Sequence, residues 1–110
     1  IGAKQDHSFG PVIFFGLGGI YIEAYQDVTN LICPVKPEQV KSMLKKLKAN
    51  RILSGLRGEA EKDKDAFIDA IVRVSYLIAD YPEIKELDIN PFRVYPSENG
   101  AIALDARIRL

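Results

Sequence analysis

An α+β fold, an antiparallel sheet carrying two helices, is predicted by three features of this 110-residue chain. Two segments with helical spacing of apolar residues follow one another in its middle. Short β-branched and aromatic runs lie on both sides of them. The resulting order, β-β-β-α-α-β-β, segregates strands from helices instead of alternating them.

The chain opens on Ile1-Gly2-Ala3, without an initiator Met. This reads as the end of a strand already under way, so residues 1–110 are expected to be a fragment of a longer protein. Asp6-His7-Ser8-Phe9-Gly10 has turn composition. Pro11-Val12-Ile13-Phe14-Phe15 is strand-like. Gly16-Leu17-Gly18-Gly19 interrupts it, Ile20-Tyr21-Ile22-Glu23-Ala24-Tyr25 resumes it, and Val28 to Val35 is again extended. The first third is therefore expected to form a small antiparallel sheet. Pro37 then opens a helix where its missing N–H costs nothing. Val40, Met43, Leu44 and Leu47 mark its buried stripe and Asn50 its end. Leu53-Ser54-Gly55-Leu56-Arg57-Gly58 reads as a link. Asp63 is the N-cap of a second helix. Phe67, Ile71, Val74 and Ile78 form its stripe, widened by Ile68, Val72 and Leu77, as expected of a helix buried on more than one side. Pro82 ends it, and a hairpin closes the chain.

Composition excludes more than it selects. Lys and Arg number 15, as do Asp and Glu, so net charge gives no argument for nucleic acid. Residues 36–65 hold nine Lys/Arg against five Asp/Glu, which a solvated helix face explains better than an anionic partner. Cys33 is the one cysteine. It excludes a disulfide framework and a Cys-based metal site, and suits a core residue of a cytoplasmic protein. No apolar run approaches the ~18 residues that span a bilayer, so no membrane partner is expected.

The hairpin carries the chemistry. Glu86-Leu87-Asp88-Ile89-Asn90-Pro91 and Ala103-Leu104-Asp105-Ala106-Arg107 are joined by the turn Pro96-Ser97-Glu98-Asn99-Gly100. If Tyr95 pairs with Gly100, Asn90 falls opposite Asp105, Asp88 opposite Arg107 and Glu86 opposite Arg109. Leu87, Ile89 and Pro91 then face Ile108, Ala106 and Leu104. A slip of one residue would destroy both matches. Opposed Cβ atoms lie ~5 Å apart, close enough for two oxygens to share one cation. Mg²⁺ accepts such a partial oxygen shell and completes it with water and phosphate. The same face also reads as a ladder of exposed ion pairs, worth little energetically. In this register Arg93 joins the aliphatic face while Phe92 and Val94 join the polar one. A bulge near Pro91 is expected to repair that.

Other features are weaker. Gly16-Leu17-Gly18-Gly19 could form an anion-binding nest, though a tight β-turn explains it nearly as well. It is neither a Walker loop nor a dinucleotide fingerprint. Arg57 could meet a phosphate or carboxylate, or satisfy loop carbonyls. His7 reads as a surface turn residue, and no nucleophilic triad can be assembled around one histidine.

Five segments appear in order: Phe9-Gly10-Pro11-Val12-Ile13; Phe15-Gly16-Leu17-Gly18-Gly19-Ile20-Tyr21-Ile22-Glu23; Gly55-Leu56-Arg57-Gly58-Glu59; Glu86-Leu87-Asp88-Ile89-Asn90-Pro91; and Leu104-Asp105-Ala106-Arg107. Together they resemble the C-terminal part of the ATP-grasp domain of NDP-forming acyl-CoA synthetases, the acetate–CoA ligase (ADP-forming) group, with succinyl-CoA synthetase β subunits as distant relatives. The resemblance implies a C-terminal ATP-grasp subdomain. It implies a part in interconverting acyl-CoA, ADP and phosphate with acid, CoA and ATP through a phosphohistidine. In that group the histidine belongs to a CoA-binding subunit or domain, so a hetero-oligomer or a fused chain is expected, and His7 does not match it. The resemblance assigns Asn90 and Asp105 to Mg²⁺, with Asp88 in support. It sets Gly16, Gly18, Gly19 and Glu23 beside the ATP/ADP phosphates or the phosphohistidine, with Arg57 near them. The family's phosphate-contacting lysine and adenine hinge lie upstream of these motifs. Residues 1–110 alone are therefore expected to bind nucleotide weakly and to be inactive. Two rival readings are a non-catalytic regulatory ATP-grasp module, as in a fusion to an acetyltransferase, and a small scaffold domain using its sheet edges.

Overall fold

A computed structural model describes residues 1–16, 28–47 and 61–110. Seven strands are found among them: β1 Gly2–Asp6, β2 Gly10–Gly16, β3 Val28–Ile32, β4 Glu86–Ile89, β5 Phe92–Val94, β6 Ala101–Ala103 and β7 Ala106–Arg109. The helices are α1 Pro37–Leu44 and α2 Lys64–Asp80. The α+β class holds. The strand expected at Ile20–Tyr25, the stop at Asn50 and the link Leu53–Gly58 lie outside the described residues.

The first strand joins the N-terminal strands to the closing hairpin. β1 pairs antiparallel with both β2 and β4, giving one five-stranded sheet in the order β3-β2-β1-β4-β7. The segment expected only to finish at Ala3 runs on to Asp6 as the central strand. Lys4 and Gln5 have little strand propensity, and their place is set by neighbours on either side. Gln5 also donates from Nε2 to the Ile78 carbonyl at 2.9 Å, tying the sheet to α2. After Asp6 the chain reverses through a turn in which Asp6 Oδ1 accepts from the N–H groups of Ser8 and Phe9, at 2.8 and 3.0 Å. Those bonds favour the ionised carboxylate and hold its pKa below the usual value. Gly10 follows at φ +74°, a conformation glycine adopts without a side-chain penalty.

The core lies between one sheet face and the helices. Ala3, Ile13, Phe15 and Leu87 from the sheet meet Val40 and Leu44 of α1 and Phe67, Ile68, Ile71, Val74 and Ile78 of α2. The predicted stripes supply these helix contacts. α1 is shorter than expected: regular helix ends at Leu44, and Leu47 follows in a turn, its N–H bonded to the Leu44 carbonyl at 3.0 Å. Its first turn is fixed by Gln39, whose Oε1 accepts from the Lys36 N–H at 2.8 Å. Cys33 is buried beside Val35, and burial pushes its thiol up to about 11. Ser75 is fully buried. Its Oγ accepts from the Val35 N–H at 3.1 Å and donates to the Val72 carbonyl at 2.7 Å, so no polar atom there is stranded.

The closing hairpin keeps the predicted register from end to end. Glu86 opposes Arg109, Asp88 opposes Arg107, and beyond Pro91 Val94 opposes Ala101. There is no bulge. The ladder instead parts at Asn90-Pro91 and Leu104-Asp105, and β5–β6 forms a separate two-stranded sheet. Leu87 and Ile89 pack on the core before the break, and Phe92 and Val94 after it. An interval of three residues replaces the expected two. β6 and β7 leave the ladder at the matching point, so both arms change face together and no extra residue is needed. Phe92 then packs on Phe67, ring centroids 5.8 Å apart. Asp63 holds this distal hairpin to α2: Oδ1 caps the helix by accepting from the Ala66 N–H at 3.1 Å, and Oδ2 accepts from the Gly100 N–H at 2.9 Å. Gly100 itself sits at φ +80°.

Candidate functional site

The sheet face turned away from the helices carries the charged residues. Directly opposed residues of an antiparallel pair share a face, so the register sets out two rows. One runs Asn30, Phe14, Gly2, Asp88, Arg107; the next runs Ile32, Val12, Lys4, Glu86, Arg109. Contacts agree with this assignment. Lys4 Nζ lies 5.6 Å from the Phe14 ring centre. A Cβ placed on Gly2 would stand 3.4 Å from Phe14 Cδ2 and 3.8 Å from Asp88 Oδ1.

Asn90 and Asp105 lie one step beyond the first row, at the break in the hairpin. Both are exposed. The Asn90 N–H donates to the Asp105 carbonyl at 3.1 Å, and the Leu104 N–H to the Pro91 carbonyl at 3.0 Å, so the two strands stay clamped where regular pairing stops. The Ile89 N–H reaches the Ile1 carbonyl at 2.7 Å, extending the β1–β4 pairing to the same level. Gly16 closes β2 two residues beyond Phe14, and Asn90 stands two beyond Asp88, while Phe14 and Asp88 flank Gly2. The start of the glycine loop and the Asn90–Asp105 pair therefore emerge at one end of the sheet, on strands about 10 Å apart. Gly18, Gly19, Glu23 and Arg57 lie outside the described residues.

Among the described residues no three His, Cys, Asp or Glu side chains converge on one point. The donors available are the Asn90 amide oxygen and the Asp105 and Asp88 carboxylates, all oxygen and none from a soft ligand. That set fits a hard cation that keeps water and phosphate in its shell, and does not fit an all-protein cage. The predicted charge matching is only half realised. Glu86 receives Arg109 on both oxygens, Nε at 3.2 Å and Nη2 at 3.1 Å. The hydrogen bond and the positive charge hold the Glu86 carboxyl below its ordinary value, and the same contact raises Arg109. Asp88 and Arg107 are equally opposed but form no ion pair. Aspartate is one methylene shorter, and its Oδ1 lies over Gly2. His7 occupies the turn at the other end of β1 from Asn90, about 15 Å away along a strand of that length.

Comparison with known proteins identifies the family. The ATP-grasp domain model matches residues 1–110. The chain is 44% identical over 110 residues to the β subunit of an ADP-forming acetate–CoA ligase I of Pyrococcus furiosus, covering all of this chain and 47% of that subunit. It is also 44% identical to the ADP-forming acetate–CoA ligase I of Archaeoglobus fulgidus, of which it covers 16%. Among solved structures, acetyl-coenzyme A synthetase 1 of Ca. Korarchaeum cryptofilum superposes with a TM-score of 0.91 at 38% identity, covering 99% of this chain and 50% of the other. That structure holds coenzyme A and Mg-AMPPCP, with its phosphohistidine segment pointing towards the nucleotide binding site. The chain thus spans half or less of the length of each of these three. Among the described residues no helix is long and apolar enough to cross a membrane.

Proposed function

The chain belongs to the ATP-grasp family, and on that premise we propose that it forms the cation-holding wall of the nucleotide cleft in an ADP-forming acid–CoA ligase. The whole enzyme would interconvert acyl-CoA, ADP and phosphate with acid, CoA and ATP. Residues 1–110 would act as the C-terminal ATP-grasp subdomain, in a chain or assembly that also carries a CoA-binding part. The observation that carries this reading is that Gly16, Asn90 and Asp105 emerge at the same end of the sheet.

Each residue then has a definable task. Asn90 and Asp105 would hold Mg²⁺ from opposite strands, and Asp88 would support them from the adjoining row. A divalent cation supplies charge neutralisation and a fixed in-line geometry for phosphoryl transfer. Gly16, Gly18 and Gly19 would let the backbone approach the phosphates closely. Glu23 and Arg57 would stand beside the phosphates or the incoming phosphohistidine. His7 is remote from this end of the sheet, so the histidine that carries the phosphoryl group must come from another domain. A cleft with one wall orients little. Residues 1–110 alone would therefore bind Mg·ATP weakly, and isothermal titration of the isolated chain at micromolar affinity would overturn that part.

Asn90→Ala and Asp105→Ala in the intact enzyme test the metal assignment. Both positions are exposed, so melting temperature should stay near wild type while Mg·ATP-dependent phosphorylation of the partner histidine is lost. Undiminished phosphorylation in both variants would refute it.

A further inference from the structure

The β4–β7 ladder contains two acid–arginine pairs in directly opposed positions, and they differ. Glu86 and Arg109 close on each other through two contacts. Arg107, one row nearer the Asn90–Asp105 pair, is exposed and makes no ion pair or side-chain hydrogen bond among the described residues. The other described cations of this face are engaged, Arg109 by Glu86 and Lys4 over the Phe14 ring.

We propose that Arg107 is a phosphate-binding residue, its guanidinium taking non-bridging oxygens of the nucleotide whose cation Asn90 and Asp105 hold. The inference rests on the reading of the site given above and adds a residue to it. Reach permits it: Arg107 is two residues from Asp105, about 7 Å along a strand, which an extended arginine spans. Charge calls for it. A divalent cation held at Asn90 and Asp105, with Asp88 in support, would already be offset by two carboxylate charges, so a phosphate chain arriving there needs further positive charge. Geometry suits it, since the planar fork of arginine matches two oxygens of one phosphate. An arginine already closed on Asp88 would have its donors occupied, and this one is open.

The test uses the intact enzyme and titrates Mg·ATP and Mg·ADP calorimetrically. Arg107→Gln should weaken both about tenfold or more, the loss expected for hydrogen bonds to a charged group. Arg107→Lys should fall between Gln and wild type, because charge is kept and the fork is lost. Without nucleotide the melting temperature of both variants should match wild type. Three results would overturn the proposal. The first is wild-type nucleotide affinity in Arg107→Gln while Asn90→Ala and Asp105→Ala bind poorly, which leaves the cation site standing. The second is a drop in nucleotide-free stability that accounts for the weaker binding. The third is disappearance of the Arg107→Gln effect in an Asp88→Asn background, which would make Arg107 a partner of Asp88. If none of the three substituted positions affects binding, the cation site itself falls.

Discussion

Asp63 makes two separable contributions, and substituting it should reveal both. One carboxylate oxygen caps α2 through Ala66, and the other receives the Gly100 N–H from the turn of the distal hairpin. Loss of an N-cap costs about 1 kcal/mol. Loss of a hydrogen bond to a charged acceptor costs about 1.5 kcal/mol. Asp63→Ala should therefore destabilise the chain by about 2.5 kcal/mol, roughly 10 °C in melting temperature at this size. Asp63→Asn keeps an oxygen for Ala66 but offers Gly100 an N–H where it needs an acceptor. It should lose only the second part, about 1.5 kcal/mol. Equilibrium urea unfolding followed by circular dichroism measures both values, and amide exchange at Gly100 should quicken in both variants. An Asp63→Asn protein with a wild-type urea midpoint would show that the hairpin tether carries no free energy, and the two-part account would fail.

Two other substitutions probe the core and the ladder. Ser75→Ala leaves the buried Val35 N–H without an acceptor and should cost about 1–3 kcal/mol; an unchanged unfolding midpoint would contradict this. Glu86 is held below its ordinary pKa of 4.5 by Arg109, so its pairing adds stability that is present above that value and lost as pH falls through the lower folded value. Melting curves of wild type and Glu86→Gln, recorded from neutral pH to about pH 3, should converge at the acid end. High salt should narrow the gap at neutral pH, and parallel curves at every pH would rule the pair out as its source.

What could be read from the chain depended on how local the signal was. The stripes of α1 and α2 were legible because periodicity within a helix states which face is buried. Hairpin register was legible because Gly100 fixes the turn and polar and aliphatic partners sort in only one alignment. The role of β1 was not: Lys4 and Gln5 become central only through pairing with β4, some eighty residues later. Ser75 gave no local signal at all, because its partner, the Val35 N–H, lies forty residues away. The change of face at Pro91 was visible as a conflict over Phe92 and Val94, but one strand read alone suggests a bulge, whereas the hairpin moves both arms. Asp88 and Arg107 looked matched in charge, and side-chain length decided otherwise.

The shared change of face also bears on how such a chain can vary over time. A single insertion or deletion in one arm would put that arm on the wrong face beyond the break. It would survive only with a matching change in the other arm, so the two arm lengths should evolve as a linked pair. Asn90 and Asp105 stand at the crossing, exposed and outside both ladders. If they hold the cation as proposed, substitutions there are screened almost wholly for chemistry, while those a residue or two away are screened for folding. On that reading, drift in ligand or ion preference is open to this hairpin at positions where the scaffold registers little change.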